Sequence, residues 1–244
     1  MENKKSIVAL LTGRGNNSLK DKNILPVFGK PLLYYPAMAA KASGVITDFF
    51  VSSDDEKILL AAAACGYKSI VRPDELARPD SQHVDVIDHA IVEMEKLGLK
   101  PDILVVLLAN TVMVKPEWVR DCVIGILENP TLTTMAPVYR EMDHHPFRAK
   151  QLNENGELVP FFDFSKSKIS TNRQDLPAAF FLCHNFWVLN LNQIDRSVGL
   201  APWTFMGNRV KPYEVEEAFD VHTMDDIKIC EKWLIENGIV FNEL

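Results

Sequence analysis

The chain has 244 residues, of which 47% are hydrophobic and 24% carry a charge, and these proportions exclude a disordered, collagen-like or coiled-coil protein. The length suits one large α/β domain or two small ones. The 26 basic and 33 acidic side chains give a net charge of −7, which argues against nucleic acid or an anionic membrane surface as a partner.

Strands and helices are predicted to alternate through the first 140 residues. Continuous or β-branched apolar runs predict buried strands at residues 7–11, 49–51, 67–71, 102–108 and 133–139. Alanine-rich or helically spaced apolar positions predict helices at residues 31–42, 55–64, 84–97 and 116–127, with Pro31 and Pro116 in first turns. This alternation implies βαβ units and a doubly wound, mostly parallel sheet, which is an α/β fold.

The pattern changes at about residue 140. Residues 140–185 are more polar but keep several phenylalanines, so we interpret them as an excursion from the sheet, with a hairpin at Asn155-Gly156. Residues 186–191 return to a strand, and a last helix at about 224–236 is predicted to stop before Gly238. We expect a single domain over residues 1–244.

The cysteines and the amino-terminal segment indicate a cytoplasmic protein. Cys65, Cys122, Cys183 and Cys230 form no C-x-x-C pair, as expected of thiols in a reducing compartment. The first apolar run is too short to span a membrane, and no cleavage site follows it. We therefore expect a cytoplasmic location and no membrane contact.

The loop after the first strand carries a local cluster of positive charge. Residues 12–23 contain two glycines, small polar side chains and the cations Arg14, Lys20 and Lys22. Backbone N–H groups and cations suit a polyphosphate, although the loop matches neither G-x-G-x-x-G nor the Walker pattern, and a solvated turn is the alternative. Its position after the first strand of a parallel sheet, where ligands bind, favours a phosphate site.

Several segments together resemble the cytidylyltransferases that activate acidic sugars, namely the CMP-sialic acid, CMP-legionaminate, CMP-pseudaminate and CMP-Kdo synthetases. The opening signature is Gly13-Arg14-Gly15, Lys22-Asn23-Ile24 and Gly29-Lys30-Pro31-Leu32. The later segments, which agree in order and spacing, are Val51-Ser52-Ser53-Asp54, Arg72-Pro73, Leu76-Ala77, Asp80, His89-Ala90, Arg173-Gln174-Asp175-Leu176-Pro177 and Asp220-Val221-His222-Thr223. The resemblance covers nearly the whole chain.

The resemblance implies a fold and a reaction. The fold is the Rossmann-like nucleotide-diphospho-sugar transferase fold, with a β-rich dimerisation excursion at about residues 140–185. The implied enzyme is a nucleotidyltransferase that uses Mg²⁺, transfers CMP from CTP to an acidic acceptor and releases pyrophosphate. A nonulosonic or octulosonic sugar acid is the expected acceptor. The resemblance also implies a homodimer and no nucleic-acid partner.

The same resemblance implies the site residues. Arg14 and Lys22 would be catalytic and hold the triphosphate, together with Asp220, which would bind Mg²⁺. The residues expected to contact the nucleotide are Gly13, Arg14, Gly15, Asn23, Arg72 and Ser81. Arg173 would contact the acceptor or the phosphates; the alternatives are a solvated loop charge or an ion pair with Asp175.

The predicted metal site departs from the family pattern. We expect residues 219–222 to end a strand, with Asp220 and His222 on the same side. The family has a second aspartate where this chain has His222, and an imidazole is a poorer Mg²⁺ ligand than a carboxylate. His222 therefore either ligates the metal or positions water or a phosphate. Thr223 and Asp226 form a helix-capping pattern, so we expect Asp226 to cap the last helix.

The acceptor region departs further from the family. After its central strand the family usually has Leu-Gln-Pro-Thr-Ser-Pro-Leu-Arg, whereas this chain has Leu108 at the glutamine position and Val114 at the arginine position. A rebuilt acceptor pocket is therefore predicted. Its candidate polar residues are Asn110, Thr111, His184 and Asn185. Strand-end capping and core hydrogen bonding are the alternative roles for these four residues.

The sequence is also compatible with three other functions. The altered pocket is compatible with a cytidylyltransferase that acts on a small phosphonate or another non-sugar acid. The fold would also suit a sugar-1-phosphate nucleotidylyltransferase that uses another base. The missing second carboxylate at His222 is compatible with a non-catalytic module that binds a nucleotide or a sugar.

Overall fold

The computed structural model describes residues 5–141, 143–165, 169–216 and 218–239. The strands of these residues are β1 (Ile7–Thr12), β2 (Pro26–Val27), β3 (Lys30–Pro31), β4 (Asp48–Ser53), β5 (Lys68–Val71), β6 (Ile103–Leu108), β7 (Thr134–Glu141), β8 (Lys150–Leu152), β9 (Leu158–Pro160), β10 (Ala179–Leu182), β11 (Phe186–Asn190) and β12 (Val210–Glu214). The α-helices are α1 (Tyr34–Ala42), α2 (Glu56–Ala64), α3 (His83–Lys96), α4 (Pro116–Glu128) and α5 (Met224–Glu236). The predicted alternation of strands and helices is confirmed.

One large sheet organises the molecule. Its strand order is β10-β7-β11-β6-β1-β4-β5. Strand β12 pairs with the edge of β7 that faces away from β10 and β11. Strands β6, β1, β4 and β5 are parallel to one another, while β11 is antiparallel to both β6 and β7. The predicted α/β fold with a mostly parallel sheet is confirmed. The carboxyl ends of the parallel strands meet at one edge, where ligands bind in sheets of this kind.

Both faces of the central strands are buried, which explains their continuous apolar sequences. In β1, Ile7, Ala9 and Leu11 pack in one core, which also contains buried residues of α1, α2, α4 and α5. Val8 and Leu10 pack in a second core on the other face, against α3. Successive side chains of a strand point to opposite faces, so a strand covered on both sides needs an apolar residue at every position.

The start of α1 differs from the prediction. The helix begins at Tyr34, whereas Pro31 lies in β3 and pairs with Pro26 of β2. Phe28 and Gly29 between these strands have positive φ angles of 45° and 75°. Positive φ at both central residues is typical of a type I′ hairpin turn. The prediction of a helix from Pro31 was wrong because a tight hairpin occupies this segment.

The excursion at residues 140–185 contains the predicted hairpin. Strands β8 and β9 pair antiparallel on either side of Asn155-Gly156, and Gly156 has the positive φ of 77° that the turn requires. At its two ends, β7 runs on to Glu141 and β10 returns to the edge of β7. The sequence did not predict β10 or β12.

The segment before α5 also differs from the prediction. Residues 219–222 do not form a strand, so the expected strand end was wrong. Instead, the backbone N–H of Val221 donates a single short hydrogen bond to the carbonyl of Asn110, with an N···O distance of 2.7 Å. This bond helps to hold the segment at the carboxyl end of β6, together with the bond from Thr111 Oγ1 to the carbonyl of Phe219.

Two further properties bear on the cellular setting. Cys65, Cys122 and Cys230 are buried free thiols, and Cys183 is buried as well. Among the described residues, no helix has the length and apolar character needed to cross a bilayer.

Candidate active site

A cavity of about 670 Å³ opens at the carboxyl ends of β1 and β6. It is lined by the loop after β1, the residue after β5, the start of α3, the end of β6 and the segment before α5. The predicted site residues that line it are Gly13, Arg14, Lys22, Asn23, Arg72, Asn110, Asp220 and His222. The structure thus brings together residues that lie up to 209 positions apart in the sequence, from Gly13 to His222.

The loop after β1 is held in shape by hydrogen bonds to the Arg14 backbone. The Arg14 carbonyl accepts from Asn17 Nδ2 at 2.6 Å and from Asn23 Nδ2 at 2.9 Å. The Arg14 guanidinium donates to the carbonyl of Arg78 at 2.9 Å. A Cβ at Gly13 would lie 3.0 Å from Asn23 Nδ2, so this packing leaves little room for a side chain.

Gly15 lies against the start of α2. Its N–H donates to Asp54 Oδ1 at 3.0 Å. A Cβ at this position would lie 2.7 Å from Asp55 Oδ2, and Asp55 caps α2 by accepting from the backbone N–H of Lys57. Only glycine fits here unless Asp55 moves, which explains the second glycine of the loop. Gly15 itself does not line the cavity.

Two buried cations face the cavity. Lys22 is 7% exposed, and burial lowers the pKa of its ammonium group, while the nearby Asp220 carboxylate opposes that shift. Arg72 is 6% exposed, and burial lowers its pKa to about 10, so that it still carries a charge at neutral pH. Its guanidinium donates to the carbonyl of Ser52 at 2.8 Å and to Ser52 Oγ at 3.3 Å. Cations withheld from water in this way favour an anionic ligand.

Asp220 places a carboxylate in the cavity lining, and its contacts with Asn110 and His222 both involve the same oxygen, Oδ2. Asn110 Nδ2 donates to Asp220 Oδ2 at 2.8 Å, and His222 Nε2 lies 3.2 Å from the same oxygen. The expectation that Asp220 and His222 share a side is therefore correct, although no strand produces it. Asp220 Oδ1 contacts no donor of the described residues.

Asp226 caps α5, as predicted. Asp226 Oδ2 accepts from the backbone N–H groups of Thr223 at 2.7 Å and of His222 at 2.8 Å, and Thr223 Oγ1 accepts from the N–H of Asp226 at 3.4 Å. This reciprocal pattern is a capping box. The backbone donors, first that of His222, lower the pKa of the Asp226 carboxyl group.

The remaining predicted residues lie outside the cavity lining. Thr111 is buried and donates to the carbonyl of Phe219 at 2.9 Å. Asn185 is buried and donates to the carbonyl of Met113 at 2.9 Å. Ser81 donates to a backbone carbonyl at 2.8 Å, and Arg173 is exposed and paired with Asp143. For Thr111 and Asn185 these contacts match the core hydrogen bonding that was the alternative to ligand contact.

His184 and His83 both contact the ring of Trp187 and so belong to one aromatic cluster beside the cavity. His184 is exposed, with its ring 6.1 Å from that of Trp187 and 5.8 Å from that of Trp203. His83 lines the cavity and was not predicted as a site residue. Its position at the first residue of α3, directly after the segment that resembles the family, was the signal that could have found it.

The side chains of the cavity determine what kind of Mg²⁺ site it can form. No group of three or more His, Cys, Asp or Glu side chains among the described residues is arranged to hold a metal ion. Mg²⁺ in nucleotide enzymes commonly takes one or two carboxylates and completes its shell with phosphate and water oxygens. Asp220, with one oxygen lacking a donor, fits the first of those needs. The residues thus fit a Mg²⁺ that arrives with a nucleotide, and they do not fit a site made by protein alone.

A family model for cytidylyltransferases matches residues 14–177, which contain most of this cavity. The chain belongs to the cytidylyltransferase family. Members of this family are enzymes, nucleotidyltransferases that use CTP. The match begins at Arg14, in the loop that the sequence had singled out for phosphate binding.

Curated cytidylyltransferases align with large parts of the chain. A pseudaminic acid cytidylyltransferase of Campylobacter jejuni is 26% identical over 167 residues, 68% of this chain and 70% of its own length. An 8-amino-3,8-dideoxy-manno-octulosonate cytidylyltransferase of Shewanella baltica is 23% identical over 248 aligned positions, 94% of this chain and 98% of its own length. These relatives are named for acidic sugars.

Two solved structures share the fold of this chain. A CMP:2-keto-3-deoxy-manno-octonic acid synthetase, solved in complex with CTP, superimposes with a TM-score of 0.66 at 17% identity and covers 96% of this chain and 100% of its own. A 4-diphosphocytidyl-2C-methyl-D-erythritol synthase of Anaerococcus prevotii superimposes with a TM-score of 0.62 at 11% identity and covers 95% of this chain and 97% of its own. The nucleotide-diphospho-sugar transferase fold predicted from the sequence is confirmed.

Proposed function

We propose that this cytidylyltransferase transfers CMP from CTP to a nonulosonic or octulosonic sugar acid, releases pyrophosphate and requires Mg²⁺. One observation carries the proposal. Arg14, Lys22 and Arg72 converge on a single cavity together with the carboxylate of Asp220, in a chain whose net charge is −7. Positive charge concentrated in this way suits two anionic substrates, a triphosphate and a carboxylate-bearing sugar. The names of the relatives from Campylobacter and Shewanella support the acidic sugar.

The reaction assigns a role to each cation. The new bond joins a hydroxyl oxygen of the acceptor to the α-phosphorus of CTP, and the bond from that phosphorus to the bridging oxygen breaks. Pyrophosphate leaves with the bonding electrons, and the hydroxyl proton passes to water. Negative charge grows on the leaving group, so Lys22 and Arg14 would stabilise it, as preorganised donors do. Burial of Lys22 strengthens its interaction with phosphate because less water screens the charge.

Mg²⁺ would be held by Asp220 together with phosphate oxygens of CTP. When bound, it would neutralise phosphate charge and align the triphosphate. Asn110 would orient Asp220, because its amide occupies Oδ2 and leaves Oδ1 for the metal. His222 would either join the metal through Nε2 or contact a phosphate.

The proposal is tested by pyrophosphate release from purified protein. CTP, ATP, GTP and UTP would each be supplied with Mg²⁺ and with one acceptor from a panel: pseudaminate, N-acetylneuraminate, 3-deoxy-manno-octulosonate, an aminoethyl phosphonate and a hexose-1-phosphate. We expect release only with CTP and only with one or more of the sugar acids. EDTA should abolish it, and added Mg²⁺ should restore it.

The other outcomes identify the alternative functions. Release with the phosphonate alone would contradict the sugar-acid assignment, and the apolar Leu108 at the cavity would then mark the changed pocket. Release with the hexose-1-phosphate alone would contradict both acid acceptors. CTP binding without release from any pair would indicate a non-catalytic module.

We also propose a cytoplasmic homodimer. The excursion exposes two phenylalanines, with Phe161 55% and Phe162 41% exposed. Exposed apolar clusters of this kind are typical of protein interfaces. Cys65, Cys122 and Cys230 are buried and form no disulfide, which supports a reducing compartment.

A further inference from the structure

Asp21, which directly precedes Lys22, has a backbone conformation that most residues with a side chain avoid. Its φ of 55° and ψ of 23° lie in the left-handed region. Among the described residues other than glycine, only Asp21 and Phe28 have a positive φ. Strained conformations of this kind persist where the surrounding structure imposes them, and they concentrate at functional sites.

Asp21 joins an exposed part of the phosphate loop to a part that is anchored in the fold. Lys20, on one side of it, is exposed. On the other side, residues Lys22–Ile24 form a short 3₁₀ turn whose first two residues are buried. The backbone N–H of Leu33 donates to the carbonyl of Asn23 at 3.0 Å. This bond fixes the turn to the segment that leads into α1.

Hydrogen bonds also connect the two sides of Asp21 to each other. The N–H of Lys22 donates to the carbonyl of Leu19 at 3.3 Å, and Asn23 Nδ2 donates to the carbonyl of Arg14 at 2.9 Å. Because both sides are held, a change of φ at Asp21 must displace one side with respect to the other. The conformation of Asp21 therefore sets the position of Lys22 relative to Arg14.

The carboxylate of Asp21 has no place in the site itself. Asp21 lies outside the cavity lining, whereas Lys22 is part of it. Asp21 Oδ1 is 3.3 Å from Lys57 Nζ of α2, and the two side chains are 33% and 62% exposed. An ion pair as exposed as this contributes little. The importance of Asp21 thus lies in its backbone, because Asp and Asn enter the left-handed region more readily than other residues with a side chain.

We propose that Asp21 is a positioning residue, whose left-handed backbone holds Lys22 where its ammonium group meets the phosphates of CTP. This inference rests on the proposed function, because the role of Lys22 is taken from it. Asp21 itself contacts no substrate and transfers no proton in this assignment. Residue 21 must tolerate a positive φ, and its charge is dispensable.

Four substitutions of Asp21 separate its backbone from its side chain. Asp21→Gly and Asp21→Asn remove the charge and keep the left-handed conformation accessible, whereas Asp21→Ala and Asp21→Val remove the charge and disfavour that conformation. We expect the first two variants to keep kcat within about twofold of wild type, Asp21→Val to lower it about tenfold, and Asp21→Ala to fall between. KM for CTP should change less than kcat, because Lys22 stabilises charge that grows in the transition state.

Phe28→Val and Lys57→Met are the matched controls. Phe28 has the other positive φ, of 45°, but it is 55% exposed in the β2–β3 turn and lies outside the cavity lining. Phe28→Val should lower the melting temperature, as Asp21→Val does, and leave kcat unchanged. Lys57→Met removes the ion pair and keeps the backbone of Asp21, so it should leave kcat unchanged as well.

Two results would overturn the proposal. If Asp21→Val lowered only the melting temperature and kept kcat, the strained residue would serve the fold alone. If Asp21→Asn and Lys57→Met lost as much kcat as Asp21→Val, the ion pair and not the backbone would be responsible.

The rate of lysine acetylation tests the position of Lys22 without turnover. Lys22 is buried, and the exposed Lys20 serves as an internal reference. Peptide mass spectrometry should show slower modification of Lys22 than of Lys20 in wild type, Asp21→Gly and Asp21→Asn. In Asp21→Val the rate at Lys22 relative to Lys20 should rise at least about fivefold, and an unchanged ratio would contradict the proposal. If wild type releases pyrophosphate with no sugar acid, the proposed function fails, while this ratio still decides whether Asp21 positions Lys22.

Discussion

At the scale of single residues, two carboxylates near the cavity have different tasks. Asp220 presents one oxygen without a protein donor, whereas Asp226 is used by the capping box of α5. We expect Asp220→Ala to lower kcat about 100-fold or more, because phosphate charge in the transition state loses its metal anchor. Asp226→Ala should lower the free energy of unfolding by about 1 kcal/mol and leave kcat within about threefold. Steady-state kinetics and urea denaturation measure the two effects.

A neighbouring carboxylate provides the control for this comparison. Asp225 lies in the same first turn, and its side chain bonds only to Lys228 among the described residues. Asp225→Ala should therefore change neither kcat nor the unfolding free energy by a measurable amount. Equal losses of turnover in the Asp220 and Asp226 variants would contradict the assignment of one to the metal and the other to the cap.

The sequence could predict the site residues whose role follows from local chemistry. The glycines and cations at residues 13–22, together with their position after a buried strand, indicated a phosphate loop. Thr111 and Asn185 have the same polar character, but the chain turns them towards backbone carbonyls in the core. His83 was missed because its place at the cavity depends on packing beside Thr12 and Trp187, which are distant in sequence.

At the scale of elements, the phosphate loop is fitted to the start of α2 through Gly15. A methyl group there would collide with Asp55, which must then leave the N–H of Lys57 or push the loop away. We expect Gly15→Ala to lower the free energy of unfolding by about 1 kcal/mol and to raise KM for CTP about fivefold. Thermal unfolding and initial rates at varied CTP measure both quantities.

Gly29 is the matched control for Gly15. It has a positive φ of 75° in the β2–β3 turn, and a Cβ there would meet nothing within 4 Å. Gly29→Ala should thus cost about 1 kcal/mol through backbone strain alone and leave KM for CTP unchanged. If both variants raised KM to the same extent, the link between Gly15 and the loop would be wrong.

Most elements were predictable because one local rule governs each of them. Strands β1 and β6 are covered on both faces, so their apolar runs are unbroken, and α5 begins at a capping box that is visible in the sequence. The failures occurred where a longer-range contact decides. Strand β12 contains Pro212 and is held by pairing with β7. Residues 219–222 are held by hydrogen bonds to Asn110 and Thr111, which are distant in sequence.

At the scale of the whole molecule, the net charge of −7 conceals a local excess of positive charge. Arg14, Lys22 and Arg72 line one cavity, as the sequence suggested for an anionic ligand. Lys20 and Arg173, the other two cations of that prediction, are exposed and outside the cavity lining. Lys22 and Arg72 are buried and Arg14 is half-buried, whereas Lys20 and Arg173 are exposed. Burial depends on the assembled fold rather than on sequence spacing.

The excursion provides the surface for the proposed dimer. The rings of Phe147, Phe161, Phe162 and Phe164 form one cluster, with centroid distances from 5.3 to 6.4 Å between neighbours. Two of these rings are largely exposed. A second copy of the chain that covered this cluster would bury its apolar area, which favours association.

Light scattering after size exclusion tests this surface. We expect wild type to have twice the mass of the chain, and Phe161→Asp with Phe162→Asp to have the mass of one chain, because two buried charges oppose the interface. Leu60→Asp is the control, since Leu60 is 63% exposed on α2 and lies outside the excursion. It should stay dimeric. A wild type that is monomeric at every concentration, or a double variant that remains dimeric, would contradict the proposed interface.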